Sequence, residues 1–282
     1  MSMLDSYHHM IFYPEDQETL SLATAKREAE VYLRSLPSAI LVPHAAYQFS
    51  LEALHRSFSV AGHLKPSLIV FLGPLHQEVL EADAPSFLFT SSMEGISIAG
   101  VEHRFATTLI KELTASHAPF FAQEDSYLVE EPALELTLPM IHSYFPDVPV
   151  LPILASSCTS EQIQTYQKVL ESVVEKEKNV LFIVSSNANA LLSSPQAEED
   201  ARTFISRLST GVSLLENRRG ERISSCNSSS LEALRRLTVL SGNWTMNGYF
   251  GKQGEQPEIK DYNDMKEKHV WHISAYQGET NA

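Results

Sequence analysis

The sequence predicts one α/β domain over residues 1–282, with a central sheet covered by helices on both faces. Three observations carry this. Short apolar runs rich in Ile, Val and Leu (SAILVP, SLIVFLGP, VPVLPILA, NVLFIVSS) recur along the chain, as strands buried on both faces do. Segments of helical periodicity separate them. No repeat, low-complexity tract or long Pro/Gly/Ser linker divides the chain, and 282 residues suffice for a sizeable core.

Taken in order, a first helix is expected over roughly Asp16 to Leu36. Strand SAILVP (Ser38 to Pro43) follows, then a helix near Ser50 to Ala61 and strand SLIVFLGP (Ser67 to Pro74). The polar segment Phe87 to Ile98 suits a hairpin, and a helix is expected from Val101 to Ser116. An amphipathic stretch covers Leu128 to Tyr144, then strand VPVLPILA (Val148 to Ala155). Thr159 and Glu161 open a helix to about Lys176, strand NVLFIVSS (Asn179 to Ser186) comes next, and helices are expected at Pro195 to Leu208 and Ser230 to Leu240. HVWHISAY reads as a closing strand. The polar stretch Gly242 to Met265 is expected to be a long loop or lid.

Composition excludes several classes. Hydrophobic content is 43% and mean hydropathy −0.13, ordinary for a soluble globular protein. No apolar run approaches the roughly 20 residues that span a bilayer, and MSMLDSYHHMIFYPED lacks a signal-peptide pattern, so a cytoplasmic location is expected. A net charge of −14 without a basic run argues against nucleic acid as a partner. Two distant cysteines, Cys158 and Cys226, suggest neither a disulfide framework nor a zinc finger.

Two runs end in proline and deliver a histidine: SAILVP into His44, and SLIVFLGP, after Leu75, into His76. Ligands of open α/β sheets gather at the carboxyl ends of strands, and neutral imidazole is a metal ligand. The plainer reading is two loop histidines with ordinary hydrogen bonds. Cys226 precedes a helix whose start is marked by Ser229 and Glu232 as a capping box. A helix N-terminus favours the thiolate, although free cysteines are more often buried and inert. Ser185 and Ser186 close NVLFIVSS without a nucleophile elbow, so turn hydrogen bonding suits them better than catalysis. Glu130 and Glu131 precede Pro132, an ordinary acidic helix start. Glu135 falls among apolar residues and is the stronger candidate for a functional carboxylate. The other histidines show no ligand-like pairing; His272, in the closing strand, is the least secure of these exclusions.

In this order, FYPED, ILVPHAAYQFS, VFLGPLH, EPALELTLPMI, VLFIVSSN, a lone cysteine and WHISAY resemble the Memo family, which includes AmmeMemoRadiSam system protein B. The resemblance runs from about Phe12 to Tyr276. It implies a fold similar to LigB-type extradiol dioxygenases, with a mixed, mostly parallel central sheet. It implies a metal site at His44, His76 and Cys226, holding a divalent ion, iron first and copper or zinc as alternatives. Radical SAM and AMMECR1-like proteins are the partners that family association implies.

The departures bear on activity. Where the family has Pro-His-Ala-Gly-Tyr, this chain has Ala46 before Tyr47. The family's His-Ser-x-Glu reads Pro132-Ala133-Leu134-Glu135, and its Ser-Ser-Asp-x-x-His reads Ser185-Ser186-Asn187-Ala188-Asn189-Ala190. Two imidazoles and an aspartate that could move protons are gone. Tyr47, Glu135, Ser186, Asn187 and Asn189 are expected to line the pocket as a largely uncharged polar shell. Three functions stay open: a metal-binding Memo-like protein with a redox-related role; a non-catalytic scaffold for a peptide or protein, in effect a pseudoenzyme; and an oxidoreductase acting on a small aromatic or redox substrate.

Overall fold

A computed structural model describes residues 2–76, 85–216, 223–240, 242–253 and 268–281. The largest sheet runs in the order β10 (Leu192–Ser193), β12 (Lys268–Gln277), β2 (Ser38–Val42), β9 (Val180–Ser185), β3 (Leu68–Pro74), β8 (Val150–Ala155), β4 (Leu88–Thr90) and β7 (Phe121–Gln123), with β11 (Thr245–Gln253) added on β12. Its centre is four parallel strands: β2 (Ser38–Val42), β9 (Val180–Ser185), β3 (Leu68–Pro74) and β8 (Val150–Ala155). Antiparallel neighbours bound this block, β12 (Lys268–Gln277) beside β2 and β4 (Leu88–Thr90) beside β8. The sheet is therefore mixed and mostly parallel at its core, as the family resemblance implies.

Every residue of β2, β3, β8 and β9 is buried, so both sheet faces are covered. That explains why these strands read as unbroken apolar runs rather than alternating ones. Helices α2 (Tyr47–Ala61) and α5 (Pro132–Tyr144) pack together and against the sheet, α2 on β2 and β12, α5 on β3. Helices α6 (Ser160–Lys176) and α8 (Ser228–Arg235) pair with each other, and α8 lies against β3. Helix α6 begins at Thr159, whose hydroxyl accepts from Gln162 N–H while the Gln162 side chain reaches back, a complete capping box.

Several local expectations change. The helix predicted over Asp16 to Leu36 stops early: α1 is only Gln17–Ala23. Beyond it, tertiary contacts override helix propensity. Lys26 Nζ donates to Gly62 O at 2.6 Å, Arg27 N–H to Tyr144 Oη at 2.8 Å, and Leu33 N–H to Val60 O at 2.8 Å, with Leu33 buried. The expected hairpin at Phe87 to Ile98 is two strands in different sheets. β4 joins the main sheet, while β5 (Gly95–Ile98) joins a three-stranded sheet with β1 (Met3–Asp5) and β6 (Val101–Arg104). The real hairpin, β5–β6, turns at Ala99 and Gly100, both with positive φ (48° and 79°), the geometry of a two-residue hairpin loop. The helix predicted from Val101 accordingly begins later, as α3 (Thr107–Ser116).

Within the expected loop at Gly242 to Met265, Thr245–Gln253 forms β11, paired antiparallel with β12; residues 254–265 lie outside the described residues. The remaining elements are β7 (Phe121–Gln123), α4 (Asp125–Glu130), β10 (Leu192–Ser193) and α7 (Ser194–Thr210). Among the described residues no helix is long and apolar enough to cross a membrane.

Candidate metal centre

His44 follows β2 and His76 follows β3, with β9 between those strands. Both imidazoles thus reach the carboxyl edge of the parallel block from either side of β9. Cys226 lies just ahead of α8 (Ser228–Arg235). The cap of that helix is Asn227 rather than the expected Ser229, because its side chain accepts from Ser230 N–H at 3.3 Å. The Asn227 amide also donates to Leu72 O on β3 and Ser185 O on β9, each at 3.0 Å. One buried side chain therefore ties the helix start to two strand ends and sets the position of its neighbour Cys226. Ser229 instead accepts from Cys158 N–H at 2.9 Å.

The three side chains converge. One donor atom each from His44, His76 and Cys226 lies within 4.8 Å of the others. Cys226 Sγ is 3.2 Å from His44 Nε2, and the two imidazole centroids are 5.1 Å apart. On the far side of each ring Nδ1 is engaged: His44 Nδ1 with Ser185 Oγ at 2.9 Å, His76 Nδ1 with Glu131 Oε2 at 2.8 Å. The Glu131 carboxylate, which only accepts, fixes the His76 proton at Nδ1 and leaves Nε2 for a metal, while the Ser185 hydroxyl orients the His44 ring.

The cluster is electrostatically coupled. Burial works against the Cys226 thiolate, but the charge and hydrogen bond of His44, the hydrogen bond of His76 and the Asn187 N–H at 3.2 Å outweigh it and pull the thiol down to about 5. His76 is pushed up to about 10: burial opposes its charge, but the bonds to Cys226 and Glu131 prevail. Burial likewise opposes the Glu131 carboxylate, and His76 then holds it below the usual range. Without metal, these groups form a thiolate–imidazolium–carboxylate chain.

The sequence marks Glu131 as a helix-start residue. It is one, since its side chain accepts from Ala133 N–H at 3.1 Å and caps α5. The same carboxylate accepts from both the N–H and Nδ1 of His76. The sequence carries no signal for this second role, because the partner lies 55 residues away.

The expected pocket residues divide. Ser186 Oγ is 3.6 Å from Cys226 Sγ and 2.9 Å from Ser225 Oγ. Asn187 gives its N–H to the sulfur, and its side-chain oxygen accepts from His272 Nδ1 at 3.1 Å. Both sit beside the trio. Asn189 turns to β12, donating to His269 O at 3.0 Å and accepting from Trp271 N–H at 2.8 Å. Tyr47 is buried and donates to Leu136 O at 2.8 Å. Glu135 points to the N-terminal segment. It accepts from Tyr7 N–H (2.9 Å), His8 N–H (2.7 Å), His8 Nδ1 (3.1 Å) and the Tyr13 hydroxyl.

The family profile described as "Memo-like protein" matches residues 8–213. Curated relatives called MEMO1 family proteins include one from Caldivirga maquilingensis, 24% identical over 149 residues (52% of this chain, 51% of the relative). One from Pyrobaculum aerophilum is 28% identical over 153 residues (53% and 52%), and one from Aquifex aeolicus 26% over 204 residues (70% and 71%). The chain thus spans about half the length of the first curated relatives it matches. Among solved structures, the uncharacterized protein JW3007 from Escherichia coli K12 superposes with a TM-score of 0.51 at 11% identity, over 86% of this chain and 99% of that one. That likeness is one of fold.

Proposed function

The chain belongs to the Memo-like protein family, and from that premise we propose that it binds a divalent metal through His44, His76 and Cys226 in a redox-related role. The observation that carries this is the convergence of two imidazoles and a thiol within 4.8 Å, each ring braced at Nδ1. The donor set fits a transition metal: imidazole nitrogens and a thiolate suit iron, copper and zinc alike, and iron is the first choice. A bound ion would supply a Lewis-acidic or redox-active centre, and the His76 side chain is 47% exposed.

The chain's own residues would do the rest. Glu131 holds the His76 proton at Nδ1, and Ser185 orients His44. The Asn187 N–H stabilises charge on sulfur. Tests should use metal analysis of anaerobically purified protein beside the Cys226→Ser and His44→Ala variants. Near-stoichiometric metal that falls in both variants supports the reading; unchanged metal content in the variants overturns it.

A second reading, a non-catalytic scaffold, is favoured by three motif positions. Pro132, Asn187 and Ala190 carry no ionisable group where the resembling motifs carry His, Asp and His. Failure to retain iron or copper after loading would select it. Association with radical SAM and AMMECR1-like proteins is proposed on family grounds alone.

A further inference from the structure

A second pair of histidines stands apart from the trio. His103 lies on β6 and His142 in the last turn of α5. Their ring centroids are 5.5 Å apart at an interplanar angle of 78°. The His44–His76 pair shows nearly the same arrangement, 5.1 Å and 70°. His103 is 6% exposed, whereas His142 opens to solvent. Neither ring has a hydrogen-bond partner among the described residues, and the ring nitrogens are not among the side-chain atoms sealed from solvent without a partner, so they face accessible space.

The two rings line two adjoining cavities of about 130 and 440 Å³. Asp147 is on the wall of the larger one, and its carboxylate makes no hydrogen bond or ion pair among the described residues. Glu102 and Arg104 on the same wall bond each other at 3.2 Å. Burial, and then the nearby His142, hold His103 down to about 4, so it stays a neutral imidazole, the form that ligates metal. Simple edge-to-face packing would explain the ring contact. It does not explain why unpartnered ring nitrogens border space large enough for water.

We propose that His103 and His142 form a second metal site for a borderline divalent ion such as Ni²⁺, Cu²⁺ or Zn²⁺, with water and Asp147 completing the shell. Imidazole is the common donor for these ions. No third His, Cys, Asp or Glu atom joins the pair closely among the described residues, so Asp147 acts through water and the site binds less tightly than the trio. A bound ion would join β6, at the edge of the small sheet, to the C-terminal turn of α5.

The test is titration of the full chain with NiCl₂ by calorimetry, in a His44→Ala/Cys226→Ser background that disables the trio. One equivalent should bind. Adding His142→Ala, at the exposed position, should weaken it about tenfold or more; His103→Gln should do the same. Cu²⁺ on the otherwise native chain, once the trio is filled, should show imidazole nitrogen couplings in its electron paramagnetic spectrum that His142→Ala removes. Absence of binding in the background variant together with absence of those couplings overturns the proposal. So does Ni²⁺ binding that survives His142→Ala.

Discussion

Glu131 Oε2 accepts from His76 twice, from the backbone N–H at 3.1 Å and from Nδ1 at 2.8 Å. A single carboxylate oxygen thereby fixes both the backbone position and the ring orientation of a candidate ligand residue. Glu131→Gln keeps an acceptor at the helix cap but removes the charge. Metal affinity should fall by about 10–100-fold, as loss of a partner behind a ligand does elsewhere, with secondary structure unchanged by circular dichroism. Affinity within twofold of the parent protein would show that the contact serves only to cap α5.

Cys226 and Cys158 should differ sharply as nucleophiles. Burial pushes the Cys158 thiol up to about 11, while Cys226 is pulled down to about 5. In metal-free protein, thiolate absorbance near 240 nm should titrate around pH 5 and vanish in Cys226→Ser. The folded value lies below the unfolded one. Its contribution to stability is therefore complete above the unfolded pKa and is lost as pH falls through about 5. A thiolate signal appearing only above pH 8 would contradict the arrangement of His44 and His76.

Asn227 offers a test of how the sulfur is placed. Asn227→Asp retains the cap acceptor for Ser230 N–H but loses the donor to Leu72 O and Ser185 O. The change should cost about 2 kcal/mol or more in urea unfolding, and it should lower metal content more than Ser229→Ala does. Equal metal content in the two variants would separate Asn227 from the site.

Glu135 anchors the N-terminal segment by four hydrogen bonds. Burial opposes its charge, and the bonds from His8, Tyr13 and the Tyr7 and His8 N–H groups outweigh that and lower its pKa. Glu135→Ala should cost roughly 3 kcal/mol at pH 7. The contribution is present above the unfolded pKa and fades as pH drops through the folded one, so the difference from the parent chain should shrink in acid. A difference unchanged down to pH 3 would assign the loss to packing alone.

The legible parts of the fold were those decided locally. SAILV and LIVFLGP read as strands because both faces are buried, and the proline-terminated runs put His44 and His76 at one edge. The trio itself is spread over 183 residues, and only the family resemblance joined Cys226 to the histidines. Glu135 stood out because a carboxylate among apolar residues must find partners; that those are Tyr7, His8 and Tyr13 depends on a long-range packing choice. The shortened α1 and the inserted β6 were missed for a related reason: Lys26, Arg27 and Leu33 are held by distant groups, and the Ala99–Gly100 turn places alanine at an uncommon positive φ.

The separation of the donors also orders events during synthesis. His44 and His76 leave the ribosome early, but β9, which lies between their strands, comes about a hundred residues later, and Asn227 with its neighbouring sulfur later still. A nascent chain therefore has no two-histidine clamp in native geometry until residues 180–185 have inserted between β2 and β3. Any ion held by the complete trio would be acquired only after most of the polypeptide exists.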